Sequence, residues 1–304
     1  MGEGWGVLAA VLSSGFGGTS VGATRYLVNA VDPLAIGSFR FGIGFLLLLP
    51  VALLQGARWP ARRDWPGVAG LGVLYFALFP VLFNASLIFT TAARGALALS
   101  TLPLLTMVVG AALGSEGMTG RTSLGVLITM LGVAIALLSG LKSAPPGAWR
   151  GDLLMVGAAM CMALYSIWSK PFIARSGPIP VTTMSMGIGA ACLILISCWQ
   201  GSFAPVAAFG MPQWLAATYL GAFGGALTFY LWAFALARTT PTRVAISVTV
   251  NPITASLVGA ALLHEPLHWN LIGGIMTVFV GIWIATTTGG WSKPPAQLSR
   301  ATLD

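Results

Sequence analysis

Charge is what this chain has least of. Asp, Glu, Lys and Arg make up 7% of it, whereas a soluble domain carries about 25%. A globule of 304 residues with so little charge cannot present a water-solvated surface, so the composition excludes an ordinary soluble fold and fits lipid as the solvent. Cysteine is also sparse. Cys161, Cys192 and Cys198 all fall inside apolar stretches and lack metal-ligand spacing, so they read as small core residues. The first residues, Met1 to Glu3, contain no basic run of the kind that opens a signal peptide, and the first apolar stretch is expected to remain as a helix. No catalytic pattern stands out either: there is no HExxH, no paired acids within an apolar run and no Cys/His pair. An intramembrane enzyme or receptor is therefore disfavoured, and neither a cofactor nor a metal is expected.

What is present points the same way. Hydrophobic residues make up 57% of the chain, with 39 glycines and 11 tryptophans. Glycine lets membrane helices approach closely, and tryptophan favours the membrane interface. The formal net charge is +8, but the basic residues are scattered between apolar runs. That is loop charge and not a nucleic-acid stripe; the expected partners are the bilayer and a small molecule, with the protein a monomer.

A spanning helix needs about 20 mostly apolar residues. Ten spans meet this, at 4–27, 33–55, 65–88, 94–113, 121–140, 150–172, 179–199, 211–236, 242–263 and 269–288. Pro or Gly marks most junctions, as at Asp32-Pro33, Pro145-Pro146, Gly177-Pro178 and Glu265-Pro266. With the N-terminus inside, Arg58, Arg62, Arg63, Arg121, Lys170, Arg175, Arg238, Arg243, Lys293 and Arg300 face the cytoplasm, and Arg25, Arg94, Lys142 and Arg150 face out. That asymmetry predicts two cytoplasmic termini.

The two halves also align with each other. Pro33-Leu34 matches Pro178-Ile179, and Phe41-Gly-Ile-Gly44 matches Met186-Gly-Ile-Gly189. Further on, Arg94 matches Arg243, Pro103 matches Pro252, and Gly110-Ala-Ala-Leu113 matches Gly259-Ala-Ala-Leu262. Glu116, Gly125 and Gly132 match Glu265, Gly274 and Gly281. The predicted organisation is a first repeat over 1–140, a linker at 141–149, a second repeat over 150–289 and a polar cytoplasmic tail at 290–304. Each repeat holds five spans, and an odd number inverts the second copy in the bilayer. Inverted repeats are a transporter architecture, with the solute site near the midplane where the repeats meet.

The Glu, Gly, Gly spacing at the end of each half resembles that of the EamA-type permeases of the drug/metabolite transporter superfamily, over about Gly6 to Thr288. Within it, the chain is most similar to the aromatic amino-acid exporter branch. The resemblance implies an all-α membrane fold, ten helices as two inverted five-helix repeats in a basket-like bundle with a central cavity, the fifth and tenth helices packing outside. It also implies efflux of amino acids, other metabolites or drugs.

Several residues are candidates for the solute path. Arg40 is the one charge well inside a span, and its repeat partner is Ser185. It could attract a substrate carboxylate, or it could be structural, holding carbonyls or snorkelling. Ser100, Thr101 and Pro103 on span 4 answer to Ser247, Thr249, Asn251 and Pro252 on span 9. Proline frees a carbonyl one turn back, and paired breaks in two repeats point to a binding site or to a packing kink. Tyr75, Phe76 and Phe79, Tyr165 and Trp168, and Tyr230 and Trp232 are expected to wall the cavity, with 165 and 168 on one face. The alternative for these rings is a lipid-facing or interfacial position. Asn84 opens an Asn-Ala-Ser triplet but lies within span 3, so it reads as a polar cavity residue and not as a glycosylation site. Glu116 and Glu265 are expected to anchor helix junctions. His264 and His268 flank Glu265 without a diagnostic metal spacing. Between Glu3 and Asp32 there is no acid. A buried acid is the usual proton-coupling device, so facilitated or weakly coupled export of amino acids is expected ahead of exchange of cationic drugs for protons. The alternative within the same fold is a broad drug or solute permease.

Overall fold

The computed structural model describes residues 2–28, 30–54, 56, 58–89, 98–136, 147–254, 257 and 269–286. Helix α1 is Gly2–Val28 and α2 is Pro33–Leu54. Helix α3 follows a 3₁₀ turn at Arg62–Asp64 and runs through Trp65–Gly72, a π-helical Val73–Leu78 and Phe79–Phe89. Then come α4 (Leu102–Ala112), α5 (Gly120–Ala136), α6 (Ala148–Trp168) and α7 (Pro178–Gln200). Helix α8 is Met211–Tyr219, a π-helical Leu220–Leu227 and Thr228–Leu236. Helix α9 runs from Pro241–Ile246 through a 3₁₀ turn at Ser247–Thr249, and α10 is Trp269–Thr286. At 1.5 Å per residue, the 22 residues of α2 and the 23 of α7 reach across a hydrocarbon core of about 30 Å.

Local chemistry accounts for the boundaries. Pro33 and Pro178 open α2 and α7, where a missing N–H costs nothing. Gly201, at φ 70°, ends α7 in the left-handed conformation that disfavours a side chain. Span 6 was expected to continue to residue 172, but α6 stops at Trp168 and a short helix, Lys170–Ser176, restarts with Pro171 near its beginning. The π-helical segments within α3 and α8 have no counterpart in the sequence reading. Arg94, His264, Glu265, His268, most of the 141–149 linker and the 290–304 tail lie outside the described residues.

Packing follows a pseudo-two-fold rule that exchanges each helix with the one five places on. Helix α1 lies along α8, as α6 lies along α3. Helix α2 packs on the π-helical part of α8, as α7 packs on α3. Helix α4 meets α6, as α9 meets α1, while α2 with α7, α4 with α9 and α5 with α10 pair across the axis. The α5–α10 pair packs backbone to backbone. A Cβ on Gly125 would lie 2.8 Å from Gly281 O, and one on Gly132 would lie 3.0 Å from Gly274 O. The glycines that mark each repeat in the sequence are thus the backbone-to-backbone surface of this pair, where small residues gain dispersion contact that lipid would not oppose.

The α2–α3, α4–α5, α6–α7 and α8–α9 connections, with the start of α1, form one end of the bundle, called here the basic end. Asp64, before α3, pairs with Arg175 at 2.9 and 3.2 Å. Arg243 of α9 forms an ion pair with Glu3 of α1.

Candidate substrate site

The two π-helical segments occupy the same place in each repeat, the third helix, and each packs against the second helix of the other repeat. Such π-turns are uncommon and are frequent at functional sites. Glycine makes the contacts possible. A Cβ on Gly189 of α7 would lie 2.7 Å from Gly72 O, and one on Gly44 of α2 would lie 3.1 Å from Ala226 N. The two contacts therefore require bare backbone at closely corresponding places.

Between them sits an aromatic cluster. Tyr75 and Tyr165 stack with ring centroids 4.4 Å apart. Phe76 meets Phe41 at 5.2 Å and Phe229 at 5.0 Å, both edge to face. Phe79 adjoins Tyr75 at 5.2 Å. The cluster draws on α2, α3, α6 and α8, so it bridges the repeats. Tyr75, Phe76 and Tyr165 are almost completely buried. In this conformation they contact one another, where the sequence reading expected rings walling an open cavity. Phe41 and Phe229 were missed by that reading, because a phenylalanine in an apolar run carries no signal of its own.

Arg40 lies seven residues into α2, about 10 Å along the helix. Its Nε donates to Gly224 O at 3.0 Å, and its guanidinium stands over the rings of Phe41 and Phe229 at 5.5 and 5.6 Å. The side chain is therefore directed at the middle of α8 and does not snorkel. It is partly exposed. The doubled glycine Gly224-Gly225 was the sequence signal for this contact and was not used.

The other candidates divide. On α9, Ser247 and Thr249 are buried, and Ser247 is 2.9 Å from Ser14 of α1. Thr249 Oγ1 donates back to Ile246 O at 2.7 Å. Asn251 lies against Gly17, and its Oδ1 accepts no hydrogen bond among the described residues. On α4, Ser100 and Pro103 are buried and Thr101 donates to Ala98 O at 2.7 Å. Ser247 and Asn251 thus lie at the α1–α9 contact. Asn84 Nδ2 reaches Pro33 O at 3.4 Å, tying α3 to the start of α2.

Two aromatic expectations need correction. Trp168, one turn after the buried Tyr165, is 46% exposed and lies on an outer groove of about 370 Å³ lined by Pro66, Gly67, Gly70, Leu71, Leu74 and Phe172. Trp232 is buried in the core, whereas Tyr230, two residues away, is only partly buried beside Phe234 at 6.0 Å. Two residues on a helix are about 200° apart, so α8 presents them to different surroundings.

Glu116 ends at the basic end, where its Oε1 accepts from Thr242 N at 3.2 Å. Burial raises its carboxyl above the ordinary value of 4.5, opposed by the Thr242 hydrogen bonds and the Lys170 charge. Burial likewise lowers Lys170, whose ammonium donates to Thr239 O at 2.9 Å. Glu116 thus joins the α4–α5 loop to the start of α9.

An all-helical bundle, duplicated and inverted, with matched π-helical segments at the repeat interface, has the architecture of a membrane transporter. The chain belongs to the EamA-like transporter family, which it matches twice, over residues 4–138 and 149–287. It is 23% identical to the uncharacterized transporter YyaM of Bacillus subtilis, covering 89% of this chain and 90% of the relative. It is 26% identical to an uncharacterized transporter of Archaeoglobus fulgidus, covering 92% and 97%. A probable terminal-alkyne amino-acid exporter of Streptantibioticus cattleyicolor is 26% identical, covering 84% and 85%. A solved crystal structure superposes with a TM-score of 0.76 at 21% identity, covering 92% and 96%, and shares the fold.

Proposed function

We propose that this transporter exports amino acids with apolar or aromatic side chains, and related small metabolites, from the bacterial cytoplasm by alternating access. The observation that carries the reading is the aromatic cluster of Tyr75, Phe76, Tyr165, Phe41 and Phe229, which lies at the two matched π-helical segments and draws on both repeats. An apolar substrate side chain can replace ring-to-ring contact with ring-to-substrate contact as the rings part, at little cost in buried area. The printed name of the Streptantibioticus relative supports the substrate class. A broad solute permease is the second reading, since an aromatic surface discriminates weakly among apolar bodies.

The two repeats, 1–140 and 150–289, act as the two rocking halves, with both termini in the cytoplasm and the protein working as a monomer. The five described acids, Glu3, Asp32, Asp64, Glu116 and Asp152, lie at helix ends or in loops. That supports facilitated flux. Uptake into proteoliposomes across an amino-acid panel tests the reading. Saturable flux of phenylalanine, tryptophan or leucine without an imposed proton gradient is expected. Flux that strictly requires the gradient, or no flux of any apolar amino acid, would sink it. Labelling of cysteines placed in the α2–α3 and α7–α8 loops should mark opposite faces of the membrane.

A further inference from the structure

Arg40 has more hydrogen-bonding capacity than the described residues use. A guanidinium carries five N–H donors in a planar fork and keeps its charge in proteins. Here one of them, on Nε, is taken by Gly224 O at 3.0 Å. The described residues offer no carboxylate to balance the charge, since Glu3, Asp32, Asp64, Glu116 and Asp152 all lie at helix ends or in loops. Two ring faces, Phe41 and Phe229, stand 5.5 and 5.6 Å from the guanidinium carbon. They stabilise a cation without neutralising it. A cation within a membrane span, partly exposed and without a carboxylate partner among the described residues, is costly unless it faces a cavity or a ligand.

The repeat supplies an internal control. Ser185 holds the position of Arg40 in the second half, and its Oγ donates to Val68 O of α3 at 3.2 Å. A serine is sufficient to join the second helix of one repeat to the third helix of the other. The charge and the remaining N–H groups of Arg40 are therefore surplus to the joining role. The neighbours decide what they suit: Phe229 is 5.4 Å from Tyr75, which stacks on Tyr165, so the guanidinium adjoins an apolar cluster.

We infer that Arg40 is the anchor of an anion subsite that takes the carboxylate of an organic acid or amino acid whose apolar body lies among Phe41, Phe229 and Tyr75. The inference deepens the proposed export activity by naming the group that the substrate must carry. The free fork of the guanidinium matches the two carboxylate oxygens in a bidentate pair.

The test uses the full-length protein in detergent and reads binding of 3-phenylpropanoate and of its uncharged amide from thermal unfolding shifts. Phenylalanine counterflow in proteoliposomes is measured alongside. The wild type should bind the carboxylate at least about tenfold more tightly than the amide, as expected for a charge-assisted pair. Arg40→Gln should bring that ratio to about one, and Arg40→Lys, a cation without the fork, should leave about threefold. A wild-type ratio near one, no binding of either compound, or a ratio that Arg40→Gln leaves unchanged overturns the inference. Should Arg40→Gln fail to fold, an Arg40→Lys ratio equal to wild type overturns it equally. Absent phenylalanine counterflow with an Arg40-dependent ratio would remove the amino-acid reading and keep the subsite. Counterflow with an Arg40-independent ratio would do the reverse.

Discussion

At the α7–α3 contact Ser185 donates its single hydroxyl hydrogen to Val68 O, while at the matching α2–α8 contact Arg40 donates through Nε to Gly224 O. Both sites demand bare backbone nearby, at Gly72 and Gly189 on one side and at Gly44 and Gly225 on the other. The aromatic load differs. The π-segment of α3 reads Val-Leu-Tyr-Phe-Ala-Leu, and that of α8 reads Leu-Gly-Ala-Phe-Gly-Gly-Ala-Leu. One copy carries rings into the interface, and the other carries glycines that admit α1 and α2 from two sides. The duplicated frame is thus preserved by backbone packing, and the side chains have diverged to make one face aromatic and the other cationic. That division separates what holds the bundle together from what distinguishes a solute.

The comparison is broken most severely at the glycines. Gly189→Val on one side and Gly225→Val on the other should each destabilise by about 1–3 kcal/mol or more through overpacking. Fluorescence-detected size exclusion after heating should show similar losses for both. A loss confined to one side would refute the equivalence of the two contacts.

Next in size is the basic end. Asp64→Asn leaves Arg175 without its bidentate partner and should cost about 1 kcal/mol, read as a lower melting midpoint that high salt reduces. Transport specificity should not change, because Asp64 lies before α3 and far along it from the aromatic cluster.

Ser185→Ala sharpens the contrast with Arg40. It removes one hydrogen bond to a backbone carbonyl, about 0.5–1.5 kcal/mol, and should leave the carboxylate-to-amide binding ratio unchanged. A ratio that shifts with Ser185 would mean that both halves contribute to the anion subsite.

The smallest effect is at Glu116. Burial holds its carboxyl above 4.5 in the folded protein, so the fold binds that proton more tightly than the unfolded chain does. Stability contributed by Glu116 is therefore lost as pH rises above 4.5 through the shifted range. Glu116→Gln should abolish that part of the pH dependence of the melting midpoint. An unchanged profile would assign it to other groups.

Much of the frame was legible in the chain. The junctions at Pro33 and Pro178 coincide with the starts of α2 and α7, and span 211–236 coincides with α8, because lipid tolerates only closed backbone hydrogen bonding and so makes hydropathy decisive. The repeat glycines Gly125, Gly132, Gly274 and Gly281 were visible as a mark, but their role as the α5–α10 contact surface was not. The candidate site was only partly legible. Tyr75, Phe76 and Tyr165 were found and do meet, whereas Trp168 lies half exposed on an outer groove, because exposure depends on which helices pack nearby and not on spacing alone. Phe41 and Phe229 could not be picked out, since nothing local separates a ring that meets other rings from one that meets lipid.

From the sequence alone came the membrane class, the helix count, the duplication and the singular position of Arg40. Each follows from composition, length or spacing, which do not depend on distant neighbours. The tertiary structure alone decided the π-helical turns, the pairing of each second helix with the other repeat's third, and the match of Arg40 Nε to Gly224 O. The last joins residues 184 positions apart. Such partners are chosen by packing, which no local pattern encodes.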